Sequence, residues 1–348
     1  MLADRIEGKW IEAFCEIFAS CGVKHGDTAA ILSETQSRAL NVELAELALL
    51  RLGARAFHIV VPTPPNRHPV PVRSTGASEA IGRLEPVVSA LGRSGFVVDC
   101  TLEGLMHAPE TPEILRAGAR ILVISNEHPE ALERMRPDPA LATRVRAATK
   151  MLRAGKRMAV ASAAGTSLDI DLAGATTVGI WGWTDKPGTL AHWPGGIVVS
   201  FPRSGTVNGT LVLDRGDVNL TFKRYLQDPI RLTLQDDYVT RIEGEGADAE
   251  MMRGYLAAWG DREAYAVSHV GFGMNPKARY EALAMYDQRD TNGTEIRAVA
   301  GNFLFSTGAN EFAGRYTAGH FDIPVMKTTI TIDNTVVVRE GVLQDVFG

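Results

Sequence analysis

Apolar residues in the first part of the chain recur at two periods, the three-to-four-residue step of a helix face and the short continuous runs of buried strands. Ile6, Trp10, Ile11, Phe14, Ile17, Phe18 and Cys21 lie on one side of an amphipathic helix, which Gly22 ends. A buried strand follows at Ala29 to Leu32, a helix over 38–52 and a second strand at Ala56 to Val61. The alternation continues with a helix near 78–92, a strand at Phe96 to Cys100, a helix near 111–117, a strand at Arg120 to Ile124, a helix near 139–154 and a strand at Arg157 to Ala161. Strands alternating with helices predict a parallel sheet covered on both faces. No G-x-G-x-x-G follows the first strand, so this half reads as a scaffold rather than a dinucleotide site. Five prolines between Pro62 and Val72 exclude helix and central strand there, leaving a solvated excursion or a subunit contact.

The texture changes after Ser162-Ala-Ala-Gly-Thr-Ser167. Short β-rich runs occupy Val178 to Trp183, Ile197 to Phe201, Thr210 to Leu213, Val218 to Phe222, Ile230 to Leu234 and Val239 to Ile242. Helices are predicted at Ala247 to Trp259 and Pro276 to Tyr286, and a hairpin at Lys327 to Ile332 and Thr335 to Arg339 around Asp333-Asn334. The expected fold class is therefore α/β, with a parallel-sheet α/β domain over residues 1–165 followed by a mostly β, α+β domain over 166–348.

Composition narrows the function classes. The 348 residues are 45% hydrophobic and 22% charged, with a net charge of −5, which argues against nucleic-acid binding and provides no basic anchor for a membrane. No apolar run approaches the roughly 20 residues needed to span a bilayer. The first residues carry acids and no uninterrupted apolar stretch, so a cytoplasmic location is expected. Cys15, Cys21 and Cys100 form no C-x-x-C pair, which fits reduced thiols better than a disulfide framework or a zinc site.

Candidate chemistry concentrates near the end of the chain, in Gly319-His-Phe-Asp-Ile-Pro324 and Ser268-His-Val-Gly271. Residues two apart in a strand share a face, so His320 and Asp322 can converge while Phe321 turns into packing. With His269 they would form the two-histidine, one-carboxylate set of non-haem Fe(II) oxygenases. The same spacing also suits residues that merely hydrogen-bond their neighbours in a strand. His107, in Leu105-Met-His-Ala-Pro, follows a predicted strand end, where open α/β sheets place ligand contacts or simply a solvated histidine. Trp181, Trp183, His192 and Trp193 crowd one glycine-rich stretch. Tryptophans there read as core or interface residues, or else as a pocket wall stacking on a flat ring while His192 hydrogen-bonds to substrate or oxygen. His25, His58, His68 and His128 read as surface or packing residues.

Six segments, in order along most of the chain, resemble the 2,5-dihydroxypyridine 5,6-dioxygenases of nicotinate breakdown, relatives of the thermophilic leucyl aminopeptidases. They are Leu105-Met-His-Ala-Pro-Glu110, Asp185-Lys-Pro-Gly188 with His192-Trp-Pro-Gly195, Gly209-Thr-Leu-Val-Leu-Asp214, Ser268-His-Val-Gly271, Gly301 to Gly308, and His320-Phe-Asp-Ile-Pro324. The resemblance implies one Fe(II) per chain on His269, His320 and Asp322, a ring-cleaving reaction yielding N-formylmaleamate, and an acid/base role for His107. His192 would orient substrate or oxygen. At the two tryptophans, Trp181 and Trp183, the family pattern has tyrosines, which leaves the ring substituents open. The expected partners are a small aromatic substrate and dioxygen, in a homo-oligomer with no nucleic-acid or membrane partner.

Two rival readings remain at this level. A metal-dependent aminopeptidase-like hydrolase would use two metals and further glutamates. Phe201 to Gly209 lacks a glutamate where the peptidases carry one, and His269 replaces another, so one metal is favoured. The other rival is a non-catalytic small-molecule binding protein. No G-x-S-x-G, G-x-x-x-x-G-K-[ST] or H-E-x-x-H motif occurs.

Overall fold

The computed structural model describes residues 5–70, 78–124, 126–288 and 291–347. Its first sheet has five parallel strands in the order Arg55–Val61, Thr28–Glu34, Phe96–Asp99, Arg120–Val123 and Leu190–His192. The helices Gly8–Ser20 and Ala39–Arg51 cover one face through Trp10, Phe14, Phe18, Leu44 and Leu49. Glu85–Gly92 and Thr111–Arg116 contribute Val88, Leu91 and Ile114 to the cluster on the other. Because both faces of the inner strands are buried, Thr28–Glu34, Phe96–Asp99 and Arg120–Val123 read as mostly apolar runs, which is why the sequence betrays them.

Two antiparallel sheets make up most of the remainder. An eight-stranded sheet runs Tyr238–Glu243, Ile230–Gln235, Val207–Leu213, Ser167–Asp171, Arg157–Ser162, Thr328–Ile332, Thr335–Arg339 and Val342–Leu343. A five-stranded sheet runs Arg315–Val325, Phe303–Asn310, Val267–Gly273, Ile197–Phe201 and Thr176–Ile180. The largest apolar cluster joins residues of both, among them Val160, Leu211, Ile330, Phe272, Phe305 and Phe321.

Several expectations shift. The strand expected at 157–161 pairs antiparallel with Thr328–Ile332 and Ser167–Asp171 instead of extending the parallel sheet. The fifth parallel strand is Leu190–His192, three residues too short for any period to mark. Both segments thus lie across the position near 165 where the texture of the sequence changes. The helix expected over 78–92 is confined to Glu85–Gly92, because Gly82 and Arg83 take left-handed φ of 58° and Pro86 favours a helix start. That over Pro276 to Tyr286 shrinks to Ala282–Met285. Val218 to Phe222 yields only Val218–Asn219, paired with Arg224–Tyr225. Residues 71 and 72 of the proline-rich passage lie outside the described set, while Val70 packs into the large cluster and His68 lies 4.8 Å from the Trp259 ring.

Candidate metal centre and active site

The five-stranded antiparallel sheet brings His269, His320 and Asp322 together. His320 pairs with Gly308 and Asp322 with Ser306, so both side chains rise from the same face of their strand. Phe321 points the other way into the core, edge-on to Tyr255 with ring centres 5.3 Å apart. His269 comes from the strand on the far side of Phe303–Asn310, where the register slips between Val267 and Val270. Such a bulge re-aims a side chain. Two strand spacings, about 9.5 Å, separate the outer strands. The ligands can meet across that gap because the intervening strand presents only Ser306 and Gly308 beneath them.

The three donors offer atoms within 4.8 Å of one another, and all are buried. Asp322 Oδ1 lies 3.3 Å from His320 Nε2 and 3.6 Å from His269 Nε2. Its other oxygen, Oδ2, accepts a 2.6 Å hydrogen bond from Arg297 Nε. Burial opposes ionisation of Asp322, but Arg297 and the two imidazoles outweigh it and hold the carboxyl well below the usual carboxylate range. Burial also draws His269 down to about 3, keeping its imidazole neutral. The set therefore comprises an ionised carboxylate at Asp322, a neutral imidazole at His269 and a second imidazole at His320. Asp322 Oδ1 is buried without a hydrogen-bond partner while facing both imidazoles. A buried anionic oxygen left in that state is costly unless a cation completes it, so these residues fit a divalent metal.

The cluster forms the floor of a cavity of about 80 Å3 whose lining also includes His107, His192 and Arg297. Its walls are apolar, with Ile180, Ile197, Val199, Phe201 and Leu304. Two of the extra side chains come from the carboxyl edge of the parallel sheet, where open α/β sheets place their ligands. His192 is the last residue of Leu190–His192, and its Nδ1 lies 3.0 Å from the carbonyl of Pro194. A carbonyl only accepts, so Nδ1 carries the proton and Nε2 keeps a lone pair. Burial lowers this histidine to about 4, which keeps it neutral.

His107 stands on the loop after Phe96–Asp99, whose Asp99 carboxylate accepts from Leu105 N at 2.7 Å and Thr101 N at 3.0 Å. Its ring centre is 5.3 Å from that of His320, and its Nδ1 lies 3.1 Å from Glu311 Oε1. A larger cavity, about 400 Å3, lies apart from this site among loops that include Asp214, Tyr280, Gly301 and Glu340. Among the described residues it gathers no group of metal donors.

Trp181 and Trp183, expected as a wall stacking on a flat ring, stand elsewhere. Neither lines the cavity: Trp181 packs on the large cluster with Arg146 4.5 Å above its ring, and Trp183 packs against the helix-covered face of the parallel sheet. Ile180, immediately before Trp181, faces the cavity. Trp193 is core, its Nε1 donating to Met135 O at 2.7 Å. Two contributors had no sequence signal of their own. Arg297 sits on the five-residue helix Thr294–Ala298, and Glu311 in the turn between two strands; only their distances to Asp322 and His107 mark them. His128 packs as expected, capping the helix Pro129–Arg134 and stacking on Tyr286.

Fold and site together define an α/β protein with a buried two-histidine, one-carboxylate cluster beneath a small, largely apolar pocket. The sequence profile of the 2,5-dihydroxypyridine 5,6-dioxygenase (NicX) family matches residues 9–345, and the chain belongs to that family. It is 36% identical over 326 residues to the 2,5-dihydroxypyridine 5,6-dioxygenase of Pseudomonas putida KT2440, covering 92% of this chain and 91% of that one. The solved structure of 2,5-dihydroxypyridine dioxygenase from Pseudomonas putida KT2440 superposes with a TM-score of 0.91 at 32% identity over 99% of both chains. Wild-type AmpT from Thermus thermophilus shares the fold, with a TM-score of 0.64 at 16% identity over 96% of this chain and 99% of that one. Among the described residues no helix is long and apolar enough to cross a membrane.

Proposed function

We propose that this chain cleaves the ring of 2,5-dihydroxypyridine to N-formylmaleamate, using dioxygen and one Fe(II) held by His269, His320 and Asp322. The observation that carries the reading is the buried Asp322 Oδ1, without a hydrogen bond, facing two imidazoles at the bottom of a pocket that two further histidines border. When bound, the iron would supply a Lewis-acidic and redox-active centre at which substrate and dioxygen meet. Everything else falls to the chain. The apolar walls suit a flat ring and exclude water, which strengthens every polar contact inside. Neutral His192 offers Nε2 as an acceptor to a ring hydroxyl, fixing which edge of the substrate faces the cluster. His107 takes the hydroxyl proton on Nε2 and returns a proton later, the general acid/base task for which imidazole is suited.

Metal analysis of anaerobically purified protein, followed by oxygen uptake with 2,5-dihydroxypyridine, tests this directly. One iron per chain and rapid uptake are expected. Two zinc or cobalt ions with peptide hydrolysis would favour the hydrolase instead. His320→Ala and Asp322→Ala should each lose iron and activity, whereas His107→Ala should keep iron and lose about 10² to 10⁴ in turnover. Full iron and activity in the first two variants would overturn the ligand assignment.

A further inference from the structure

Glu311 lies 204 residues from His107 in sequence, and its carboxylate meets His107 Nδ1 at 3.1 Å. It opens a single 3₁₀ turn, Glu311–Ala313, linking the strand Phe303–Asn310 to the strand that carries His320 and Asp322. That turn is fixed at both ends. Asn310, fully buried, accepts from Ala313 N at 3.1 Å and donates to Pro202 O at 2.9 Å, and Gly314 closes the turn at φ 71°. Between them Phe312 rests 5.0 Å from the Phe201 ring, which in turn lies edge-on to His269 at 5.4 Å. The turn is thus built into the wall of the metal cluster, and the carboxylate it carries has a defined place.

An ionised carboxylate accepts hydrogen bonds and cannot donate one. Facing Glu311, His107 Nδ1 must carry its proton, and the atom left to exchange one is Nε2. Burial opposes ionisation of Glu311, but its contact with His107, the hydrogen bond first, outweighs it and keeps the carboxyl below its ordinary value. The His107 side chain is itself only 7% exposed, so its ring cannot turn toward bulk solvent without leaving this arrangement.

We propose that Glu311 is a positioning residue for the reaction: it holds His107 in the one tautomer and orientation in which Nε2 receives the substrate's hydroxyl proton. This rests on the reading of His107 as the proton-transfer group. The partner of the acid/base histidine is then supplied by the metal-bearing sheet, so the catalytic geometry exists only when that sheet and the parallel one are docked. A carboxylate that orients an imidazole in this way contributes through the imidazole and does not touch the substrate.

The test compares Glu311→Gln, Glu311→Asp, His107→Ala and the Glu311→Gln/His107→Ala pair, each loaded with Fe(II), together with long-range ¹H–¹⁵N spectra of the histidines in metal-free protein. Glutamine is nearly isosteric but can donate as well as accept, so either tautomer becomes tolerable. The expected results are a kcat reduced on the order of 10²-fold in Glu311→Gln, with KM and iron content within about threefold of wild type. Partial recovery in Glu311→Asp is expected, with no further loss when Glu311→Gln is added to His107→Ala. The spectra should show His107 as the Nδ1–H tautomer in the parent and as a mixture in Glu311→Gln. An unchanged tautomer in Glu311→Gln, or losses that multiply in the double variant, would overturn the proposal. The spectra do not depend on turnover, so wild-type protein that ignores 2,5-dihydroxypyridine would sink the functional reading while leaving this one to be judged separately.

Discussion

At the scale of single residues the site works through neutralised or fixed protonation states. His192 illustrates the sign of the effect. Its folded-state value is drawn down to about 4 by burial, against about 6.5 in an unfolded chain. Between those two pH values the unfolded chain binds a proton that the folded protein refuses, so acidification through this window costs stability. His192→Gln removes that proton. Thermal melts of the metal-free protein from pH 7 down to pH 4.5 should therefore fall less steeply for His192→Gln than for wild type, and parallel curves would show that the ring is not held neutral. The position of His192 was legible as chemistry, because a histidine among glycines and aromatics stands out. Its setting on a parallel strand was not, since three residues carry no detectable period. The tryptophans were ambiguous for the complementary reason: a large aromatic satisfies a core and a pocket equally well, and only the direction of Ile180 relative to Trp181 separates the two.

At the scale of the element, what matters is the strand between the ligands rather than the strands that carry them. Phe303–Asn310 puts Phe303 and Phe305 in the core and Leu304, Ser306 and Gly308 on the other face, small where the candidate ligands meet. His320 and Asp322 were readable from their spacing of two, but the gap that lets His269 reach them was not, because it depends on which residues stand opposite one another. Gly308 sits at φ 121°, a conformation L side chains rarely adopt, and a Cβ there would collide with the carbonyl oxygen of Gly319 beside His320. Gly308→Ala should therefore lower stability by more than about 1 kcal/mol and weaken metal retention, as the strand bearing His320 is pushed off register. Equilibrium unfolding with metal titration measures both. Unchanged iron affinity in a correctly folded variant would mean that the sheet absorbs the methyl without moving its ligands.

At the scale of the whole molecule, the candidate site is a seam. The carboxyl edge of the parallel sheet brings His107 and His192, and the antiparallel sheet brings His269, His320 and Asp322. Alternating strands and helices announced the first sheet and apolar glycine-bounded runs the second; their mutual docking has no one-dimensional pattern, because it rests on single long-range contacts. Glu127 is the clearest of these. It lies in the loop after Arg120–Val123, and its Oε1 accepts from Gly293 N at 2.9 Å, Thr294 N at 2.5 Å and Glu295 N at 3.3 Å. Those amides open the helix that carries Arg297, whose Nε holds Asp322. One scaffold carboxylate therefore anchors the helix whose arginine orients a candidate metal ligand. Burial, then the neighbouring Glu295, raise Glu127 to about 7 against the amides of Thr294 and Glu295 and then Arg297, whereas an unfolded glutamate titrates near 4.5. As pH rises between those values the unfolded chain releases its proton first, so stability contributed by this group is lost toward neutral pH. Glu127→Gln keeps an acceptor for the amides and removes the charge, so it should flatten that slope and leave stability at pH 8 equal to or above wild type. Glu127→Ala leaves buried amides without an acceptor, and should cost about 1–3 kcal/mol and reduce kcat through Arg297. Denaturant melts at pH 5 and pH 8, with oxygen uptake on the same samples, separate the two variants. If both behaved alike, the anchor would lie elsewhere along the seam, and the coupling of Glu127 to Asp322 through Arg297 would have to be abandoned.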